Sequence, residues 1–485
     1  MMGIENLLYG PLAKKINLFV LLAAIIAVLV FPLKKEIWYD ETISILCSNG
    51  LSHDSPAEFA SVTKVSSVTI NSLNTEANVY KATVLDNGNS FLYNSGLHWF
   101  TAAAGRTMVG YTLFSKLCSI AVLIALFVLA NLVMGSTIFT SLAIIFLATD
   151  INFVSMSHEV RAYQMATFFT IAAAIFFYKF MYMAERPRHL LLTGIFSLAA
   201  ILCHFLSVYA VLVFIGFLLA GKGRRLFRGK NIAALAIPFA LAAIYFYFSF
   251  SGLVAMDSQN ATIQRQSAKG AFSIVEVLFR SMKLLAQDFK AIFPALKELR
   301  AIIAGSFAVV IGLYLAAVRA SDNKTDKRNL HLLFILGASG SVFLALLSIK
   351  AHHYTSLYHR YHSFGIPFAC LFTAYAISVI AWKYRSNKAV ALGVAAVLLL
   401  PSVALYAVVV KSSNPVRVYN HSVVARQIVE GNIAQLGVPT WTDAFMVNCF
   451  LPMGYKIDYV RNEIDPNFTL YKDGKEERVP VLNTK

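Results

Sequence analysis

Acidic side chains are scarce in this 485-residue chain, 25 against 42 lysines and arginines. The run Trp38-Tyr39-Asp40-Glu41 therefore draws attention first. Asp40 can cap a short surface helix over Glu41–Cys47 while the two aromatics anchor at a membrane interface. Equally, a carboxylate in a partly desolvated place can act as a general base, taking a proton from a hydroxyl. A second group lies in Ser155-Met156-Ser157-His158-Glu159-Val160-Arg161-Ala162-Tyr163, with a carboxylate, an imidazole, a guanidinium and a phenol within six residues. A Glu159–Arg161 pair can be purely structural. His204 is a third candidate, followed by His352, His353, His359, Arg360, Tyr361 and His362. One histidine in an apolar helix is usually a satisfied core residue. Several imidazoles around an arginine suit an anion such as a phosphate or pyrophosphate, with Arg360 forking onto its oxygens. Metal binding by His352 and His353 is disfavoured because adjacent residues of a regular helix diverge. Lys64, Lys81 and Arg106 are further cations that no motif singles out.

The elements that must position these groups are apolar helices. The chain is 58% hydrophobic and 14% charged, with mean hydropathy +0.64. Soluble domains carry about 25% charged residues, so lipid is the expected solvent. Eleven segments are candidate spans of a core of about 30 Å, which takes about 20 apolar helical residues. They are Ile16–Leu33, Leu113–Met134, Thr137–Phe153, Ala162–Met183, Leu190–Cys203, Phe205–Ala220, Asn231–Ser251, Ala301–Val318, His331–Ile349, Phe364–Trp382 and Ala389–Val410. The first follows Lys14 and Lys15 as a signal peptide would, but it has no small-x-small cleavage site and is read as an anchor. The fifth is short and runs almost directly into the sixth.

Loop charge sets the orientation. Counting outward from the first span places Lys14–Lys15, Glu185–His189, Lys222–Lys230, Arg319–Asn329 and Lys383–Lys388 in the cytoplasm, and Lys222–Lys230 carries cations and no acid. The +17 charge thus fits lipid headgroups and cytoplasmic loops rather than nucleic acid. The exported pieces are 34–112, 154–161, 252–300, 350–363 and a tail, 411–485. Polar stretches in 34–112 read as strand or loop. Phe272–Phe293 reads as an amphipathic helix on the membrane surface, and the tail as a small soluble appendage. Asp40, Glu159, Arg161, His204 and Arg360 all fall on the exported face. Ionisable groups at membrane depth cost about 2.5–3.5 kcal/mol mid-bilayer and so tend to face a cavity or partner. The five cysteines lack metal spacing; Cys47 and Cys449 both fall outside the cytoplasm and could pair. No internal repeat is visible.

At these residues the chain resembles the membrane glycosyltransferases of the GT-C fold. They include the protein O-mannosyltransferases and the aminoarabinose and galacturonic acid transferases that act on lipid A and its core. Asp40-Glu41 resembles their Asp-Glu signature after the first span. Phe91-Leu92-Tyr93-Asn94-Ser95-Gly96-Leu97-His98-Trp99-Phe100 is similar to their P-P-L-Y-Y-x-x-L-H-x-W element, without its prolines. His158 to Tyr163 resembles their E-x-R-x-Y turn, Cys203-His204-Phe205 their T-H-Y element with two changes, and Arg360-Tyr361 through Pro367 their R-Y-x-x-x-x-x-P. The likeness covers about residues 16–382, in the family's order.

The resemblance implies an all-α polytopic fold and a polyprenyl-phosphate sugar donor. It implies transfer to a hydroxyl of a lipid, glycan or protein with inversion. Asp40 and Glu41 are then the catalytic candidates, with Glu41 orienting its neighbour or capping the helix. Arg161, Tyr163, His204, Arg360 and Tyr361 would bind donor phosphate. Some members use a divalent ion (Mg or Mn), for which Glu159 and His158 are the candidate ligands. The rival readings are a polysaccharide ligase or polymerase, which the basic 252–300 loop would suit, and a transporter, for which repeats and mid-membrane polar groups would be expected. A bacterial inner membrane is favoured, the chain ending without an endoplasmic-reticulum retention signal, while Asn260-Ala261-Thr262 would permit a eukaryotic glycosylation site.

Overall fold

The computed structural model describes residues 11–30, 39–50, 64–66, 76–85, 89–135, 137–226, 229–247, 273–289, 300–351, 359–384, 418–419, 421–433, 435–438, 447, 458–461, 467–472, 475–480 and 482–483. Helix α1 is Pro11–Val30. A helical group follows, α2 (Tyr39–Ser48), α3 (Glu76–Leu85) and α4 (Phe91–Ala104), with strand β1 (Lys64–Ser66) between α2 and α3 in sequence. The bundle continues through α5 (Met108–Met134), α6 (Ile138–Ala148), α7 (Ile151–Met156), α8 (Tyr163–Tyr178) and α9 (Pro187–Cys203). Next come α10 (Val208–Leu226), α11 (Gly229–Tyr247), α12 (Ile274–Asp288), α13 (Arg300–Ala320), α14 (Lys324–Ala351) and α15 (Ile366–Lys383).

Among the described residues, eight helices are long and apolar enough to cross a membrane, or nine if α6 and α7 count as one bent span. Ten of the sequence segments coincide with described helices, but α9 is a short apolar helix, and Ala389–Val410 lies outside the described residues. Thr137–Phe153 is not straight. It bends by 65° where Asp150 caps a new helix, its Oδ1 accepting from the amides of Asn152 and Phe153 at 3.0 Å each. That satisfies two donors that the broken helix would otherwise leave open.

Burial sorts the helices into a centre and a rim. In α15 and α8, 78% and 67% of the spanning window is buried, against 17% in α11. Exposed Phe19, Phe239, Ile244 and Leu315 on the rim helices are what a lipid-facing surface requires. Helices α14 and α15 approach closely: a Cβ on Gly337 would stand 3.0 Å from the Ala369 backbone, and one on Gly365 would stand 2.9 Å from the Gly337 carbonyl. Only glycine permits that spacing.

Of the polar stretch 61–90 that reads as strand or loop, 64–66 is a strand and 76–85 is helical. In α4, Tyr93, Leu97 and Thr101 recur every fourth residue and are all buried, a helical period. The tail forms β2 (Val418–Tyr419), α16 (His421–Gly431), β3 (Gln435–Val438), β4 (Asp458–Arg461), β5 (Asn467–Lys472), β6 (Lys475–Pro480) and β7 (Leu482–Asn483). Its main sheet has the order β1-β4-β3-β5-β6, with β3 and β4 parallel. Strand β1 from the first loop pairs with β4, Lys64 opposite Val460, so the appendage is completed by the first loop. Helix α12 is amphipathic as expected. It also packs on the bundle, burying Val277 and Leu284 against Leu344 and Ala345, while Ile274, Val275 and Leu278 are about half exposed.

The charged loops segregate. Lys222 pairs with Glu185, and Lys383 with Asp322 at 2.7 Å, all at the end of the bundle opposite Asp40.

Candidate active site

Helix α2 presents Asp40 and Glu41 in its first turn. Their side chains diverge, because successive helical residues are about 100° apart. Glu41 is buried and its Oε1 accepts the Val160 amide at 2.8 Å. Arg161 answers in the other direction. Its Nη1 donates to the Asp40 carbonyl at 2.8 Å and to Ser44 Oγ at 3.2 Å, and its Nη2 lies 3.9 Å from Asp40 Oδ2. The α2 turn and the 158–161 turn therefore clasp each other by reciprocal side-chain-to-backbone bonds.

The Asp40 carboxylate faces a second cation. Arg360 Nη1 stands 3.3 Å from Asp40 Oδ2, and Arg360 Nη2 donates to the Tyr361 hydroxyl at 3.3 Å. Burial works against the Arg360 charge, but Tyr163, Tyr361 and Asp40 around it outweigh that and leave its pKa above the usual guanidinium value. Arg360 and Tyr361 belong to a 3-10 turn, His359–His362, just ahead of α15.

Tyr163 opens α8 beside this pair. Its ring lies 5.1 Å from that of His204 and 6.4 Å from that of Tyr361, and Arg161 sits over it at 5.8 Å. The Tyr163 hydroxyl is buried with no hydrogen-bond partner among the described residues. A buried unpartnered phenol wants a ligand or water acceptor. His204 is the C-cap of α9, in the turn to α10, where Nδ1 accepts the Leu206 amide at 3.3 Å. Burial first, then the charges of Arg161 and Arg360, push His204 down to about 3. The ring is thus neutral at neutral pH. With Nδ1 accepting, its proton sits on Nε2, where it can be donated.

Asp40, Arg161, Tyr163, His204, Arg360 and Tyr361 thus converge from four separate stretches of chain, with Glu41 beside them turned onto Val160. Glu159 and His158 make local contacts within their own turn. Glu159 Oε1 accepts from Ser155 Oγ at 3.0 Å, and His158 Nδ1 lies 3.0 Å from the Val154 carbonyl. Among the described residues no three His, Cys, Asp or Glu side chains stand together as a metal would require. Arg106 is buried and donates to Asn49 Oδ1 at 3.2 Å, and Lys81 is exposed on α3. His352, His353 and Cys449 lie outside the described residues; Cys47 Sγ faces the Ala82 carbonyl at 3.9 Å.

The Phe91–Phe100 element acts as a brace. His98 Nδ1 lies 2.6 Å from the Ser48 carbonyl at the end of α2, and Asn94 Nδ2 donates to Thr83 Oγ1 at 3.2 Å. Gly96 leaves room for Phe114, whose Cζ would stand 3.1 Å from a Cβ there. Sequence reasoning missed Ser44, one helical turn from Asp40, and Asn89, whose Oδ1 accepts the Phe205 amide at 3.3 Å next to His204. The i, i+4 spacing of Asp40 and Ser44 was a usable signal; Asn89 offered none.

Residues 92–248 match the family model of dolichyl-phosphate-mannose-protein mannosyltransferases. Three of the five motifs lie within that range wholly or nearly so, including the 158–163 turn and His204, and the match agrees with the resemblance read from the motifs. No curated protein sequence matches the chain. Among solved structures, the chain is similar to the oligosaccharyltransferase AglB from Archaeoglobus fulgidus in complex with an inhibitory peptide and a dolichol-phosphate. The TM-score is 0.47 at 11% identity, over 94% of this chain and 65% of that one. The Archaeoglobus fulgidus oligosaccharyltransferase with Zn and sulfate gives 0.44 at 10%, over 90% and 57%. ArnT from Cupriavidus metallidurans bound to undecaprenyl phosphate gives 0.38 at 11%, over 90% and 85%. The chain thus spans less than two thirds of the two oligosaccharyltransferases' length.

Proposed function

We propose that this chain is an inverting glycosyltransferase that moves a sugar from a polyprenyl-phosphate donor to a hydroxyl of a lipid, glycan or protein. The observation that carries the reading is Asp40 Oδ2, held 3.3 Å from Arg360 and 3.9 Å from Arg161 beside the Tyr163 hydroxyl, which has no hydrogen-bond partner among the described residues. A carboxylate and two guanidiniums at one spot supply a base and an anion clamp together.

In the proposed step the acceptor hydroxyl loses its proton to Asp40 as its oxygen attacks the anomeric carbon. The bond from that carbon to the phosphate oxygen breaks, and the leaving polyprenyl phosphate keeps the electron pair. A single displacement without a covalent sugar–protein bond inverts the anomeric centre. Arg360 and Arg161 meet the charge growing on the phosphate, while His204 Nε2 and the Tyr163 hydroxyl donate to its oxygens. Tyr361 steers Arg360, and Glu41 holds the 158–161 turn. A guanidinium turned from Asp40 toward the phosphate leaves the carboxylate to accept the proton.

The Asp40 end of the bundle is assigned to the outside of the membrane, the periplasmic side in a bacterium, because cation-rich loops crowd the other end. Residues 1–410 carry the transferase and 411–485 the appendage. The test is lipid and glycan mass spectrometry of cells with the wild-type chain, without it, and with Asp40→Asn. A glycan that needs the chain and vanishes with Asp40→Asn is expected. An unchanged profile, or transfer that survives in the folded variant, would refute the reading.

A further inference from the structure

We infer that Asp288 and His362 are positioning residues that hold Arg360 against Asp40, an inference that rests on the transferase reading above. Both side chains are essentially fully buried, at 1% and 0% exposure, and Asp288 Oδ2 lies 2.8 Å from His362 Nδ1. His362 closes the 3-10 turn that carries Arg360 and Tyr361. Asp288 closes α12, a helix that belongs to another stretch of chain and whose apolar cluster also packs against Tyr361.

Backbone bonds fix the start of α15 behind the turn. Tyr209 donates to the His362 carbonyl at 3.2 Å, and Gly365 N donates to the same carbonyl at 2.9 Å. Those bonds set the backbone where the turn enters α15. The imidazole–carboxylate contact sets the side-chain face and so the rotation of the turn, on which the aim of Arg360 depends. The α12 end is itself fixed. Phe289 packs edge-on against Phe372 with ring centroids 5.3 Å apart and lies 5.4 Å from Phe334, and its carbonyl accepts from Thr373 at 3.5 Å. A charged group buried in an apolar surround is costly unless paired, so this pair is a definite register between α12 and the turn. A rotation small enough to preserve folding would still move a guanidinium at the end of a long side chain by an ångström or more, and such misplacement can cost about 100-fold in rate.

The test is a mutant cycle with two readouts, on the full chain in detergent or vesicles. Asp288→Ala should lower kcat at least tenfold with acceptor KM little changed. The double variant Asp288→Ala/Arg360→Ala should be no slower than Arg360→Ala alone, because a positioning residue has nothing left to position. Asp288→Asn, which keeps an oxygen facing the imidazole, should restore most of the rate, and His362→Gln covers the case in which Asp288→Ala does not fold. Hydrogen exchange should rise at 363–366 in Asp288→Ala and stay unchanged in Asp288→Asn. Multiplicative losses in the double variant, or full activity of Asp288→Ala, would overturn the inference. Raised exchange in a chain that transfers no sugar would instead leave the positioning role standing and refute the transferase reading.

Discussion

Glu41 offers the sharpest separation between a group that does chemistry and one that holds it in place. Its carboxylate accepts the amide of Val160, a fully buried residue, at 2.8 Å. Glu41→Ala leaves that amide without this acceptor. Stranding a buried donor costs about 1–3 kcal/mol, and hydrogen bonds to charged groups lie toward the top of that range. A loss of about 2–3 kcal/mol is therefore expected, and each kcal/mol moves the Tm of a 150–250-residue domain by about 2–4 °C, less for a larger one. The 158–161 turn also carries Arg161, whose Nη1 holds the Asp40 carbonyl. Its displacement should reduce transfer by about 10–100-fold, the scale of an ångström's misplacement. Glu41→Gln keeps an oxygen for the amide. Charge-assisted bonds are roughly twice as strong as neutral ones, so it should lose only about 1 kcal/mol, and transfer should stay within about tenfold of wild type. The assay is sugar release from a polyprenyl-phosphate donor, with Tm by differential scanning fluorimetry in detergent. If Glu41→Gln is as inactive as Asp40→Asn while its Tm is unchanged, Glu41 takes part in the proton chemistry and the clasp argument fails.

Three further outcomes follow from the same geometry. Arg360→Ala should cost about 100–1,000-fold in kcat, the usual loss for one donor to a developing anion, and Arg360→Lys should recover little because it cannot fork between two acceptors; steady-state kinetics decide it. His204, with its pKa pushed down to about 3, should contribute no limb to the activity profile between pH 5 and 8. Its unfolded form takes up a proton near pH 6.5 that the folded form refuses until about 3, so its contribution to stability is complete above about 6.5 and is lost as pH falls toward 3. Tm measured from pH 7 to 5 should accordingly fall less steeply in His204→Asn than in wild type. A Cβ at Gly340 would stand 2.9 Å from His362 Cβ and from the Tyr209 ring; Gly340→Ala should cost about 1–3 kcal/mol by overpacking and reduce transfer. Gly216→Ala, with nothing within 4 Å, is the control and should leave Tm and transfer close to wild type.

Much of this arrangement was legible because chemistry-bearing residues stood where apolar runs ended. Arg161, Tyr163, His204 and Arg360 each sit at or beside a helix terminus, and helix termini at one end of a bundle must converge. The positions of spans followed from length and hydropathy alone. The bend at Asp150 was missed because a single acid in an apolar run does not disturb a hydropathy average, although its capping chemistry is local. Helix α3 was missed because its buried face, Val79, Ala82 and Thr83, is short and set among polar residues. The pairing of Lys64–Ser66 with β4 joins the first loop to the tail. No local pattern encodes a contact over that separation.

The adjacent carboxylates illustrate why a motif underdetermines its roles. Side by side in sequence, Asp40 and Glu41 look interchangeable. On a helix they point about 100° apart, so one cavity cannot receive both. The longer side chain reaches inward across to Val160, and the shorter stays at the rim before Arg360. Exchanging them as Asp40→Glu/Glu41→Asp keeps both charges and moves both oxygens by about one methylene. If roles were set by charge alone, that variant would work. If they are set by reach, the Val160 bond is lost and the base is displaced, and transfer should fall by at least the 10–100-fold expected of Glu41→Ala.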